Sequence, residues 1–228
     1  MRNLTIPFLV LALSLLIGCI GDDIIDDTVA ARINFTNPLD SIAVGDTFQF
    51  QATFLNQVGL QEDVSVSWSA RPASVLQLLS NGLAIGLMEG EAWVIATADA
   101  SGGAVRDSFL ITVGASTSEP VAMVREGTIR TTSSYLLEGT FTASLNEGGE
   151  MVIDINDDYR TSDRLPGLYV YLTNNPTTTN GAYEIGEVTI FEGAHSYTLP
   201  SDIGLNEYNY LLYFCKPFNV KVGDGEME

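Results

Sequence analysis

Two cysteines and one histidine are the only thiols and imidazoles in this 228-residue chain, so the chemistry open to it is narrow. Cys215 lies in YNYLLYFCKPFNV, residues 208–220, an almost unbroken apolar stretch that runs straight into Lys216 and Pro217. A single thiol in such a setting has two readings. It is a small buried hydrophobe, inert because apolar surroundings disfavour the thiolate, or it is a redox thiol poised by a neighbouring cation. Lys216 does not decide between them, because successive side chains of a strand point to opposite faces. Pro217 removes a ladder donor and opens that edge.

The remaining residues exclude more than they offer. His195 alone cannot ligate haem from both sides, and there is no C-x-x-C-H attachment motif. A zinc centre needs three or four N/S ligands, more than one histidine and one unmodified cysteine supply. Ser-His-Asp catalysis would have to run through His195, and no nucleophile elbow is present. His195, in GAHSYT, is therefore read as a surface residue of a turn. The run from Asp154 to Asp158 begins like a calcium loop. Tyr159 stands where the turn glycine belongs, however, and Leu165 where the closing glutamate belongs. A solvated acidic loop is the default there, with an irregular site from Asp154, Asn156, Asp158 and Asp163 as the alternative. No catalytic residue, metal or cofactor is assigned, and the chain is not read as an enzyme.

The other cysteine has a different context. MRNLTIPFLVLALSLLIGC carries one cation, Arg2, and then an apolar run of 14 residues, short of the ~20 a membrane-crossing helix needs. Its end, Leu16-Ile17-Gly18-Cys19, resembles the lipobox of bacterial lipoprotein signals. That resemblance implies cleavage after residue 18 and fatty acylation of Cys19, palmitate included, which anchors the protein stably. The alternative is an ordinary signal peptide with an incidental cysteine. Residues 19–30 follow as a tether. Ile20 does not match an inner-membrane retention signal, and Asp22, Asp23, Asp26 and Asp27 are similar to acidic tags of surface lipoproteins. The expected location is the outer membrane, lipid-anchored and surface-exposed, although a self-repelling solvated tether explains the same aspartates.

With 10 Lys+Arg against 29 Asp+Glu and a net charge of −19, the chain lacks the basic footprint of a nucleic-acid or anionic-membrane binder. Its glycines, Thr/Val-rich runs and missing helical periodicity predict an all-β fold. In residues 31–114, Phe48, Phe50, Ala52 and Phe54 alternate onto one face. So do Val64, Val66, Trp68 and Ala70, and likewise Phe109, Ile111 and Val113. Ser80-Asn81-Gly82 is the sharpest hairpin signal, because Asn and Gly both accept positive φ. The blocks VGDTFQFQATF, VSWSA, SVLQLLSNGLAIG and GEAWVIATA resemble, in order, the bacterial Ig-like domain, group two. The resemblance implies a seven-stranded Ig-like β-sandwich. Trp68 is read as core packing rather than as a ligand platform.

A small, polar linker covers residues 115–125. In residues 126–228 the strand expectations are 136–144, 150–155, 167–173, 182–190 and 208–222, a second antiparallel sandwich or barrel-like domain. LEGTFTAS, LPGLYVYLTNN, YEIGEVTIFEGAHSYTLP and YNYLLYFCKPFNVKVGDGEM resemble the electron-transfer DM domain, the DM-thirteen family. Gly139, Phe141, Pro166, Tyr169, Tyr171, Gly186, Gly193, Tyr197, Pro200, Cys215 and Phe218 fall on the family's positions. The insert DINDDYRTSDR departs from the pattern, as does Tyr213-Phe214 where many relatives have tryptophan before the cysteine. By that resemblance, Cys215 is the family's characteristic cysteine and a candidate redox thiol serving a separate redox partner. Two functions therefore compete. One is an electron-transfer accessory module using Cys215. The other is an adhesion or ligand-binding module, for a cell-surface protein or glycan, in which Cys215 packs. A weaker variant places a glycan on Tyr159, Tyr169, Tyr171 and Tyr183.

Overall fold

The computed structural model describes residues 28–100, 102–118 and 124–228; the leader, Cys19, the acidic tether to residue 27 and residues 119–123 of the linker lie outside them. The described chain is all-β, as the sequence predicts, with one short 3-10 turn.

The N-terminal half contains β1 (Arg32–Phe35), β2 (Ser41–Ala43), β3 (Thr47–Gln49), β4 (Ala52–Leu55), β5 (Gln61–Glu62), β6 (Val66–Arg71), β7 (Leu76–Leu78), β8 (Leu83–Gly86), β9 (Gly90–Ala100) and β10 (Gly103–Gly114). The sheet β2-β10-β9-β6 forms one layer, and two small sheets, β1-β4-β5 and β3-β8-β7, form the other. The expected strand through TFQFQATF is broken. The Phe50 N–H leaves the ladder to donate to Gly82 O, and the chain passes there from one small sheet to the other. The alternation survives this switch, because Phe50 and Phe54 are both buried. The 79–82 turn also departs from expectation. Only Gly82 takes positive φ, its N–H donates to Leu79 O, and the Asn81 side chain accepts from Leu83 N. That is a type I turn closed by glycine.

The C-terminal half contains β11 (Arg125–Thr131), β12 (Leu137–Leu145), β13 (Met151–Ile155), β14 (Arg160–Thr161), β15 (Leu168–Thr173), β16 (Tyr183–Glu187), β17 (His195–Thr198), β18 (Tyr210–Cys215) and β19 (Val220–Glu226). They form one barrel-like antiparallel sheet in the order β16-β15-β18-β19-β11-β12-β13-β17, with β14 on β12. The expected long strand 208–222 is a hairpin. Pro217, which has no N–H to give a ladder, opens a 3-10 turn over Lys216–Phe218, and Asn219 at φ 53° completes the reversal.

No strand is shared between the halves, but they touch. Arg32 Nη2 on β1 donates to Asn174 O at 2.9 Å and Oδ1 at 3.1 Å, and its guanidinium stacks over the Tyr210 ring. Asn209 Nδ2 donates to Asn34 Oδ1, and Asn175 Nδ2 to Val58 O. Gly59, at φ +76°, lets the Asn174 backbone approach to where a Cβ would sit 2.8 Å away.

Candidate functional site

Cys215 closes β18, paired with Leu168 on β15 and Val220 on β19. Alternation along β18 places Leu211, Tyr213 and Cys215 in the barrel core, and Leu212 and Phe214 on the outer side against Tyr169 and Tyr171. Cys215 is 1% exposed, and the polar contact of its thiol is with the Pro166 carbonyl at 3.4 Å. Lys216, the first residue of the 3-10 turn, carries its amine to the outer side. Its Nζ lies 2.8 Å from Glu184 Oε2 and 4.7 Å from the Tyr169 ring centroid. This bond holds the Glu184 carboxyl below its ordinary range and the Lys216 amine above its own. Tyr171 also donates to Glu184 and is pushed up to about 12, chiefly by burial. The cation beside the cysteine in sequence thus serves a carboxylate, not a thiolate.

The core behind Cys215 holds residues that the sequence reading put elsewhere. Tyr159, expected in a solvated acidic loop or on a glycan-binding surface, is 0% exposed. Gly139, at φ +146°, makes room for it: a Cβ there would sit 2.9 Å from Tyr159 Cα. Its ring meets Tyr213 at 6.0 Å and His195 at 4.9 Å between centroids. Tyr213 is likewise 0% exposed, and burial pushes both phenols well up. His195 is not a surface turn residue. It lies on β17 opposite Ile155, half-buried, with Tyr197 edge-on at 5.3 Å. Its Nδ1 sits 2.9 Å from Gly193 O. A carbonyl only accepts, so in the neutral ring Nδ1 carries the proton and the Nε2 lone pair faces inward. Tyr159 Oη, Tyr213 Oη and His195 Nε2 are all buried, and none has a partner at ordinary hydrogen-bond geometry; the two phenols lie close enough to each other to interact electrostatically. The signal for this cluster was available: His195, Tyr197 and Leu199 alternate, as do Leu211, Tyr213 and Cys215.

The acidic loop residues do not converge. Asp158 accepts from Thr140 N and Oγ1, Asp154 accepts from Ser196 Oγ, and Asn156 donates to Thr140 Oγ1. Among the described residues no group of three or more His, Cys, Asp and Glu is placed to hold a metal. Trp68 packs in the N-terminal core against Phe35 and Phe50 at 5.9 and 6.2 Å. Tyr171 is buried, and Tyr169 and Tyr183 are half-buried, so the four tyrosines offer no shared open face.

Residues 130–227 match the family described as Electron transfer DM13. That segment, from within β11 to the end of the barrel, is a DM13 electron-transfer domain. No curated protein matches the chain.

Proposed function

We propose that this chain is a lipid-anchored outer-membrane protein whose DM13 domain acts as a non-catalytic electron-transfer accessory through Cys215. Cys19 would carry the anchor and the acidic tether would lead to the cell surface. The N-terminal half, which resembles an Ig-like group-two sandwich, would present the domain to a separate redox protein. The observation that carries this reading is the DM13 match over 130–227, a span that includes Cys215, which the sequence resemblance equates with that family's cysteine. The chemistry would be thiol–disulfide exchange. The Cys215 thiolate attacks a disulfide of the partner, a mixed disulfide forms, and the displaced partner thiolate takes up a proton. Attack needs access, so the Lys216–Phe218 turn, with Phe218 65% exposed, would have to lift from the thiol.

A second reading follows from the burial of Cys215. If the thiol only packs, the protein is an adhesion or ligand-binding module. An exposed pair favours this: Trp93 and Leu110 lie opposite each other on β9 and β10 at 48% and 44% exposure. Alkylation of native protein at neutral pH separates the two. Modification faster than global unfolding, with capture of a disulfide-linked partner, supports the redox role. Modification only on unfolding leaves adhesion as the reading.

A further inference from the structure

We propose that Tyr159, Tyr213 and His195 form a metal site inside the barrel that takes a hard, redox-active cation of the ferric class. Among the described residues, the C-terminal half has three buried side-chain polar atoms without partners, and all three belong to this one contiguous cluster. Each such atom costs stability unless something serves it. Two phenol oxygens and one imidazole nitrogen are a donor set that suits iron: hard anionic oxygen on ionisation, plus a neutral nitrogen. The Nδ1–H of His195, held by Gly193 O, leaves Nε2 as the ligating atom, which is how a metal-binding histidine is oriented by its outer partner.

The residue choice points the same way. Phenylalanine would fill the volumes of Tyr159 and Tyr213 without burying an unpaired hydroxyl, and the N-terminal core uses phenylalanine for the same packing task. Access is from one side: β17 is the edge strand of the barrel-like sheet, and Tyr197 beside His195 is only half-buried. The net charge of −19 raises the local concentration of cations. On binding, each phenol would release its proton to solvent as its oxygen bonds the metal, and the imidazole would donate its lone pair; no electron is transferred in this step. The site does not depend on Cys215, so it stands or falls apart from the thiol reading.

The test is titration of the full chain with ferric nitrilotriacetate, followed by desalting, iron analysis and visible spectroscopy. The expected result is one iron per chain with a phenolate-to-iron charge-transfer band. Tyr159→Phe and Tyr213→Phe should each weaken binding about tenfold or more and diminish the band. Tyr169→Phe, on the outer side of the barrel, should leave both unchanged. Both core variants keep the ring volume, and their far-UV and near-UV dichroism checks that they fold. Absence of bound iron would overturn the proposal and leave a buried water serving the three atoms. So would a band that persists in both core variants, since that iron would sit elsewhere.

Discussion

In the N-terminal half, Phe35, Phe50, Trp68 and Phe109 meet at centroid distances of 4.8 to 6.2 Å, a cluster of almost pure hydrocarbon. In the C-terminal half the corresponding interior holds Tyr159, Tyr213, Tyr197 and His195, rings of similar size that carry hydroxyls and a ring nitrogen. The two clusters differ in what remains after packing: the first leaves no buried polar atom without a hydrogen bond, and the second leaves three. One core is explained by the hydrophobic effect alone, and the other carries groups whose presence packing does not require.

The largest effect is expected where packing is everything. Phe50 is 2% exposed and touches three other rings, so Phe50→Ala should cost ~3–5 kcal/mol through lost transfer energy and a cavity. Urea unfolding of the full chain measures it. A loss under about 1 kcal/mol would mean that this core is looser than its ring contacts imply.

Next comes the boundary between the halves. Arg32 spends its guanidinium on Asn174, and burial pulls its pKa down. Hydrogen bonds to a charged group contribute ~1.5–3 kcal/mol, so Arg32→Ala should destabilise by about that amount. It should also separate the unfolding of the two halves, which we expect to be coupled in the intact chain. Calorimetry distinguishes one transition from two. Fragments 31–114 and 124–228, each with its own core, are expected to fold separately but with lower midpoints than in the whole chain. Equal midpoints would show that the contacts contribute nothing.

Tyr213→Phe should act in the opposite direction. In metal-free protein it removes a buried, unpaired hydroxyl while keeping the ring, so stability should rise by ~1–3 kcal/mol. Destabilisation instead would show that the hydroxyl has a partner in solution, which sharpens the contrast between the cores. The double variant with Tyr159→Phe tests whether one shared occupant serves both hydroxyls, because their effects would then be non-additive.

Much of this architecture is legible in the sequence because a period of two reports burial directly. Phe50 and Phe54, Trp68, Ile111 and Val113 all face the N-terminal core as their alternation predicts. Chain reversals are less legible. TFQFQATF and YNYLLYFCKPFNV read as continuous because hydrophobicity does not register a strand changing sheets, or a proline turn flanked by apolar residues. In the tyrosine-histidine cluster, alternation marks His195 and Tyr213, but Tyr159 is illegible for another reason. Tyr159 sits among Asp157, Asp158 and Arg160, so local composition said solvent, while β12 and β18 bring Gly139 and Tyr213 around it from far along the chain. Burial there is a tertiary property.

Cys215 gives the smallest expected effect and the sharpest question. It belongs to the C-terminal core, yet its surroundings resemble the N-terminal one: Cys215 is 1% exposed and its polar contact is with a single carbonyl. Replacing it with alanine removes one sulfur from a packed layer, so the cost should be ~1 kcal/mol, the usual centre for point mutants. Its accessibility is more informative than its stability contribution. With the thiol sealed by the barrel wall, iodoacetamide should modify native protein only as fast as the molecule opens, and the rate should rise with urea. Lys216→Ala should leave that rate unchanged, because the amine is paired with Glu184 on the outer side. If Lys216→Ala slows modification, or if native protein reacts at the speed of a free thiol, the 216–218 turn is mobile in solution. Cys215 would then be a working redox thiol rather than a packed one, and the DM13 domain would hold reactive groups both at its rim and in its interior.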